Sequence, residues 1–341
     1  MGLPKDCELK LHEKWKKGEK NLITDVPGVK VGHTTIHDGD INTGVTAVLP
    51  HGGNLFQDKV MAGHAVINGF GKSAGLVQLE ELGTIETPII MTNTLSVGTA
   101  LTALTKYMLK QNEDIGVTTG TVNCLVTECN DGRLNDIRGL HVTEEHVLSA
   151  IENASEDFEE GAVGSGSGMC CLGFKGGIGS ASRIVPADGK DYTIGSIVMT
   201  NFGAYGNLTV GGDRLGARIK AQFPQKKDEG SIIILIATDI PLSERQLKRV
   251  AKRAMISLGR VGSFCGNGSG DIAIAFTTAN RCSHYSKKCI LPMQMFYDEK
   301  IDDVFEAAVE AVEEAIISSL YHAKTVKGVR GNEAKGLGEY L

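Results

Sequence analysis

The sequence lacks the features that mark membrane, secreted and nucleic-acid-binding proteins. Its longest wholly apolar runs, such as residues 232–237, fall far short of the ~20 residues that cross a bilayer. The N-terminus has no apolar signal core, so we expect a cytoplasmic protein with no membrane partner. The formal net charge of −6 argues against nucleic-acid binding. The short basic stretches at residues 14–20 and 248–253 are interpreted as solvated helix faces.

Cysteine is scarce as well. Eight cysteines in 341 residues are too few for a disulfide scaffold, and none form the Cys-x-x-Cys pairs of zinc or redox sites. Most are expected to be buried thiols. Cys124 with Cys129, and Cys170 with Cys171, could supply metal ligands, but no neighbouring histidine cluster completes a tetrahedral set. We therefore expect neither a metal nor a cofactor.

The apolar residues predict strands and helices that are grouped rather than strictly alternating, which favours an α+β layered fold over a doubly wound parallel sheet. Short apolar runs bounded by turn residues predict strands over residues 25–36, 43–53, 62–72, 195–202, 231–242 and 271–278. Helical spacing and capping signals predict helices over residues 95–109, 143–154, 243–258 and from about 303 onward. Residues 211–225 are interpreted as a polar connection that can contain a weak helix.

A glycine-rich stretch at residues 161–183 is too dense in glycine for a regular helix or a long strand, so we expect a shaped loop. It contains neither a phosphate-binding Gly-x-x-x-x-Gly-Lys-Ser/Thr pattern nor a dinucleotide fingerprint. Its GSGSG motif is the nearest approach to a nucleophile elbow, but no helical pattern follows it. His33, His51 and His64 are therefore interpreted as structural or surface histidines.

The junction of Gly230 with Ser231 joins the charged stretch QKKDEG to a buried apolar strand. A small hydroxyl residue there follows a flexible glycine. Taken by itself the pair is best explained as an ordinary turn before a strand. The two residues alone therefore do not indicate a catalytic role.

Nine segments from Asn21 onward supply that context, in one order and with matching spacing: DVPGVKVGHTT, TGVTAVLP, PIIMTNTLSVG, NDGRLND, GFKGGIGSASR, NFG, GSIIILIATDIPL, GRVGS and NGSGDIAIAFTTAN. In these the chain resembles the L-aminopeptidase/D-esterase and β-peptidyl aminopeptidase family, whose wider relatives include ornithine acetyltransferases. The resemblance implies one four-layer αββα sandwich over residues 21–341, after a charged leader at residues 1–20. It also implies a precursor that cleaves itself into residues 1–230 and 231–341, and homo-oligomers that are tetramers of αβ pairs.

The resemblance assigns the reacting groups. Cleavage would lie between Gly230 and Ser231, leaving Ser231 as nucleophile and its α-amino group, with an ordinary pKa of ~8, as base. Ser269 and Asp271 match the second serine and the carboxylate that tune this amine, and their i, i+2 spacing lets both point to one face of a strand. Otherwise they are a turn serine and a strand-capping aspartate. Most relatives have Glu where this chain has Asp271.

Three further residues take binding roles from the resemblance. Asn201 matches the donor to the oxyanion, and Glu128 matches the carboxylate that receives the substrate's ammonium group. Asn130 stands in the substrate-binding region, where some relatives have Tyr. The alternatives are an asparagine in a turn for Asn201 and a surface carboxylate for Glu128.

The hypothesis from the sequence is a self-processing serine aminopeptidase or amidase. Its substrates would be small peptides, amino-acid amides or esters, and the reaction would pass through an acyl-Ser231 intermediate. One alternative is an acyltransferase of the ornithine acetyltransferase type, which forms the same intermediate but typically with a threonine nucleophile. Another is an uncleaved, non-catalytic scaffold protein.

Overall fold

The computed structural model of the protein describes residues 9–11, 13–204, 206–219 and 230–341. The strands in this part of the chain are β1 (Lys30–Asp38), β2 (Ile41–Leu49), β3 (Asp58–Gly69), β4 (Thr84–Ile85), β5 (Ile89–Asn93), β6 (Leu125–Cys129), β7 (Cys170–Cys171), β8 (Phe174–Lys175), β9 (Ile178–Ala187), β10 (Lys190–Asn201), β11 (Gly230–Thr238), β12 (Ser269–Ser283), β13 (Val326–Lys327) and β14 (Glu333–Ala334). The helices are α1 (Leu76–Leu82), α2 (Val97–Gln111), α3 (Glu144–Glu152), α4 (Leu215–Ile219), α5 (Glu244–Arg260) and α6 (Asp302–His322).

Two large sheets form the centre of the molecule. One has four strands in the order β1-β2-β5-β6, and the other has six in the order β4-β3-β12-β11-β10-β9. Their facing sides share one apolar core, which includes Val48, Met91, Ile197, Ile233 and Phe276. Burial of the apolar side chains in this shared core is the main driving force for packing of the two sheets.

Helices cover the outer side of each sheet. On the four-stranded sheet, α2 and α3 pack through a cluster that includes Leu104 and Val147. On the six-stranded sheet, α5 and α6 pack through a larger cluster that includes Val250 and Ile316. The layers follow the order α, β, β, α, and the predicted four-layer αββα sandwich is confirmed.

Helix α5 shows how local sequence sets an element. The Ser243 Oγ accepts from the Gln246 N–H at 3.3 Å, and the Gln246 Oε1 accepts from the Ser243 N–H at 3.1 Å. This is the predicted capping box, which satisfies N–H groups that the helix leaves without partners. The predicted apolar stripe is buried along its whole length, at Leu247, Val250, Ala251, Ala254 and Leu258.

The glycine-rich stretch is only partly the loop that was predicted. Its first part, up to residue 177, is irregular apart from the two-residue strands β7 and β8. From Ile178 the chain forms β9, a ten-residue strand, so the expectation of no long strand here is wrong. The reason lies in packing: a Cβ on Gly179 would stand 2.0 Å from the Ala315 carbonyl oxygen in α6. Glycine at this position permits close approach of a helix and does not break the strand.

The basic stretch at residues 14–20 is not a helix, which corrects the sequence interpretation. The Lys14 N–H donates to Glu310 Oε1 at 2.9 Å, and the Lys17 Nζ lies 2.9 Å from Glu314 Oε1. Both acceptors belong to α6, where their carboxylates also pair with the fully buried Arg183. The segment is extended along α6 because buried carboxylates need donors.

Fewer than half of the described cysteines are buried, contrary to prediction; the buried ones are Cys124, Cys129 and Cys171. Within the polar connection at residues 211–225, the weak helix is α4, which covers only residues 215–219; residues 220–225, like most of QKKDEG, lie outside the described residues. Within the described ranges, no helix combines the length and apolar character needed to span a bilayer.

Candidate active site

Ser231 is the second residue of β11, at the centre of the six-stranded sheet. Strand pairing places it opposite Asn201 of antiparallel β10 and opposite Gly270 of parallel β12. The Gly270 N–H donates to the Ser231 Oγ at 3.1 Å. Ser231 is buried, with 6% of its surface exposed, and a hydrogen bond in such a low-dielectric surrounding is stronger than in water.

Gly230 begins the same strand and therefore is not part of a turn. Its φ of +133° is a conformation that favours glycine. A Cβ at this position would stand 1.9 Å from the Asn201 carbonyl oxygen. The peptide that precedes Ser231 thus depends on glycine both for its backbone conformation and for its fit against β10.

Ser269 and Asp271 begin β12, and both are 1% exposed. The Ser269 Oγ donates to Asp271 Oδ1 at 2.6 Å, so the two side chains do lie on one face, as their spacing predicted. Gly230 lies directly opposite Ser269 in the β11–β12 pairing. Asp271 lies opposite Ile232 in the same pairing, so this pair lies on the strand adjacent to Gly230 and Ser231. The shorter side chain of Asp271 suffices to reach Ser269.

Asn68 supports this pair and was not found from the sequence. Its Nδ2 donates to the carbonyl oxygens of Gly266 and Asn267, each at 3.2 Å, and to that of Ser269. It stands on β3 opposite Asp271, where the pairing of β3 with β12 is irregular. The sequence did offer a signal for a role of this residue: Asn68 ends an apolar run and begins the turn-like motif NGFG.

Asn201 is the last residue of β10, which excludes the alternative of a turn asparagine. Its Oδ1 accepts from the Cys170 N–H at 3.0 Å, and its Nδ2 donates to the Asn130 carbonyl oxygen at 2.9 Å. An amide NH₂ group has two hydrogens, so one hydrogen beyond the bond to Asn130 can serve an oxyanion. The bonds on both sides hold the amide in a fixed orientation.

Asn130 contributes its backbone to this arrangement. Its side-chain Oδ1 accepts from the Gly132 N–H at 2.9 Å in a local turn, and the residue is exposed. The structure thus brings the Asn130 carbonyl oxygen to Asn201, while contact of the Asn130 side chain with substrate stays a prediction.

Glu128, next to the end of β6, is buried with 3% exposure, so it is not a surface carboxylate. Its Oε1 accepts from the Lys72 backbone N–H at 2.8 Å, and its Oε2 accepts from the Thr94 hydroxyl. Both donors are neutral, so they orient the carboxylate without cancelling its charge. Thr94 was not singled out from the sequence, although it lies in the PIIMTNTLSVG segment.

Gly71 lies between the Glu128 carboxylate and Gly270. A Cβ at this position would lie 3.5 Å from Glu128 Oε1 and 3.9 Å from the Gly270 Cα. Both are ordinary contact distances, so the space beside Gly71 adjoins both Glu128 and the residue that donates to Ser231. The space beside Gly71 therefore has a carboxylate on one side and the residue that bonds the Ser231 hydroxyl on the other, which suits a ligand with a cationic amine next to a carbonyl group.

His33 and His51 take no comparable role. His33 bonds to Thr46 Oγ1 at 2.9 Å and to the Glu159 carbonyl at 3.1 Å, and burial lowers the pKa of His33 to about 4. His51 Nε2 lies 2.7 Å from the Asp58 carbonyl oxygen, and burial also lowers its pKa. These contacts agree with the structural interpretation of the histidines.

Known proteins are similar over nearly the whole chain. The model of peptidase family S58 matches residues 21–334. The β-peptidyl aminopeptidase BapA of Sphingosinicella microcystinivorans is 40% identical over 341 residues, covering 93% of this chain and 85% of the relative. The PH0078 protein of Pyrococcus horikoshii OT3 is 54% identical with a TM-score of 0.94, covering 98% of this chain and 95% of the other.

A third similar protein is a serine aminopeptidase of known structure. The L-aminopeptidase D-Ala-esterase/amidase of Ochrobactrum anthropi, a prototype for the serine aminopeptidases with a variant of the Ntn hydrolase fold, is 36% identical with a TM-score of 0.88. The similarity covers 96% of this chain and 93% of that protein. The chain therefore belongs to peptidase family S58 and is a serine-type aminopeptidase with an N-terminal nucleophile hydrolase fold.

Proposed function

We propose that the chain cleaves itself between Gly230 and Ser231 and then acts as an aminopeptidase through the new N-terminal Ser231. The observation that carries the proposal is the position of Ser231 between Asn201 and Gly270, with the hydrogen-bonded pair Ser269 and Asp271 on the adjacent strand, where Ser269 lies opposite Gly230. No histidine base is needed in this arrangement, because cleavage itself creates an amine at the nucleophile.

Self-cleavage would begin with attack of the Ser231 Oγ on the carbonyl carbon of Gly230. The C–O bond forms as the C–N bond to Ser231 breaks, and the hydroxyl proton passes to the departing nitrogen. Water then hydrolyses the ester, which leaves a carboxylate on Gly230 and a free amine on Ser231. The unusual backbone conformation of Gly230 supports this step, since strained peptides cluster at reactive sites.

The free amine of Ser231 would then serve as general base. An α-amino group has an ordinary pKa of about 8, so a useful fraction is neutral at physiological pH. It accepts the Oγ proton as Oγ attacks the substrate carbonyl, and it returns that proton to the leaving amine. Water then releases the acyl group. The Nδ2 of Asn201 would donate its second hydrogen to the oxyanion in both steps.

Glu128 would select substrates with a free N-terminal ammonium group, which explains release of single N-terminal residues. Small peptides and amino-acid amides or esters fit this site. The β-peptidyl aminopeptidase activity named for the relative at 40% identity supports β-amino acids as acceptable N-terminal residues. These features favour hydrolysis by an aminopeptidase over the acyltransferase and scaffold alternatives.

Intact-mass analysis of the purified protein tests the proposal. The wild type is expected to yield fragments of residues 1–230 and 231–341, and Ser231→Ala is expected to remain a single chain without activity. p-Nitroanilides of L-alanine, D-alanine and β-alanine, assayed with and without an acceptor amine, then distinguish hydrolysis from acyl transfer. A wild type that hydrolyses these substrates while uncleaved would overturn the mechanism.

For location and assembly we propose a cytoplasmic homo-oligomer, a tetramer of αβ pairs, that binds neither nucleic acid nor membrane. Exposed apolar side chains between β12 and α6 support self-association; they include Ile290 at 85% and Met295 at 62% exposure. Light scattering coupled to size-exclusion chromatography tests the assembly. Substitution of Ile290 and Met295 by Ser should then shift the protein toward smaller species.

A further inference from the structure

Lys175 is fully buried, and nothing in the proposed reaction uses it. Its Nζ donates to the carbonyl oxygens of Gly166, Met169 and Gly176 at 2.9, 2.9 and 2.7 Å. An ammonium group has three hydrogens, so these bonds use all of its donor capacity. Burial lowers the pKa of Lys175 to about 8. Burying an ammonium group costs desolvation free energy, so a structural or functional role for this lysine is expected.

The three acceptors lie in the glycine-rich loop, defined here as residues 161–177. This loop binds the last two residues of β10 and the residue that follows them. The Gly177 N–H donates to Thr200 Oγ1 at 3.1 Å, the Cys170 N–H donates to Asn201 Oδ1 at 3.0 Å, and the Leu172 N–H donates to the Phe202 carbonyl at 2.6 Å.

Lys175 connects directly to the bond that orients Asn201. Its acceptor Met169 immediately precedes Cys170, whose N–H holds the Asn201 side chain. The Met169 carbonyl also accepts from the Gly176 N–H at 3.0 Å, which closes the loop on itself. Loss of the ammonium group would remove one donor from each of three buried carbonyl oxygens and would weaken the hold on the Met169–Cys170 peptide, which carries the Cys170 N–H.

We infer that Lys175 is a positioning residue for Asn201: it holds the glycine-rich loop so that the Cys170 N–H fixes the amide that donates to the oxyanion. The inference rests on the proposed role of Asn201. Lys175 itself does not touch the substrate, since its hydrogens are all taken. Its effect should therefore appear in kcat and only through Asn201.

A double-mutant cycle tests this inference. Wild type, Lys175→Met, Asn201→Ala and the double variant are purified, and kcat is expressed per cleaved chain as measured by intact mass. We expect Lys175→Met to lower kcat about tenfold or more with KM changed by less than about twofold. In the Asn201→Ala background the same substitution should lower kcat by less than about twofold.

Arg183→Met is the matched control, because Arg183 is equally buried but pairs with Glu310 and Glu314 of α6. Any kcat loss in this variant should be the same in both Asn201 backgrounds. If Lys175→Met does not fold, Lys175→Gln retains two donors and should give an intermediate loss that also vanishes with Asn201→Ala.

Two results would overturn the inference: equal losses from Lys175→Met in both backgrounds, or an unchanged kcat. Failure of the proposed function gives a different pattern. In that case Asn201→Ala alone would keep wild-type kcat, whatever the Lys175 variants do.

Discussion

The two sheets of the sandwich carry different parts of the active site. The six-stranded sheet holds Ser231, Ser269, Asp271 and Asn201, to which we assign the bond-breaking chemistry. The four-stranded sheet holds Glu128, which faces the position proposed for the substrate's ammonium group. Contacts that strengthen in the transition state affect kcat, whereas contacts made equally in the bound substrate affect KM. Substitutions in the two sheets should therefore have separable kinetic effects.

Gly230→Ala is expected to have the largest effect, on the six-stranded side. The new Cβ would clash with the Asn201 carbonyl oxygen at 1.9 Å, and alanine disfavours a φ of +133°. We expect no cleavage by intact mass and a loss of activity of about 10⁴-fold. Gly268→Ala is the control, because a Cβ there meets nothing within 4 Å. Efficient cleavage of Gly230→Ala would show that the strand geometry does not govern processing.

Asp271→Asn should produce the next largest effect, also in kcat. The change keeps the size of the side chain but removes the charge that accepts from Ser269 at 2.6 Å. We expect kcat to fall about 100-fold with KM changed by less than about threefold. Steady-state kinetics on cleaved protein measures this, with the exposed, remote Asp191→Asn as control. A rise in KM at constant kcat would contradict the proposed division between the sheets.

Glu128→Gln tests the four-stranded side. Removal of one charge-assisted hydrogen bond, worth roughly 1.5–3 kcal/mol, should raise KM by about 10- to 100-fold while kcat changes by less than about threefold. A p-nitrophenyl ester without an amino group should be hydrolysed as by the wild type. Thr94→Val, which removes one donor to Glu128, should raise KM less. A kcat loss as large as that of Asp271→Asn would mean that Glu128 takes part in the chemistry.

The smallest effect concerns stability of the four-stranded side at acid pH. Burial lowers the pKa of His33 from 6.5 to about 4, so the unfolded chain binds its proton first as pH falls. Stability from His33 is therefore fully present above pH 6.5 and is lost as pH falls through about 4. Thermal melts between pH 7 and 4 should show a Tm loss larger by roughly 2–4 °C in the wild type than in His33→Gln. Equal slopes would contradict this account.

Regular parts of the site followed from the sequence because strands obey a two-residue repeat. That repeat placed Ser269 and Asp271 on one face, and the apolar run after Ser231 predicted a buried strand. The roles of these residues came from family resemblance, since a glycine followed by a serine is common. The local pattern alone favoured an ordinary turn.

The irregular parts could not be predicted because they depend on contacts distant in sequence. Gly179 suggested a loop but allows α6 to approach β9. Lys14 and Lys17 suggested a solvated helix, yet they meet carboxylates nearly 300 residues away. No periodic signal distinguishes the buried Lys175 from a surface lysine, because its acceptors are backbone carbonyls supplied by the folded loop.

The strand order of the six-stranded sheet has a consequence for the processed protein. A cut before Ser231 would leave β11 and β12 in the C-terminal fragment, enclosed between β3 and β10 of the N-terminal fragment. Because the fragments interleave, neither could depart without breaking sheet hydrogen bonds on both sides of the other. We expect dissociation only on global unfolding, so dilution should not inactivate the nicked enzyme, and denatured fragments should regain activity only by folding together.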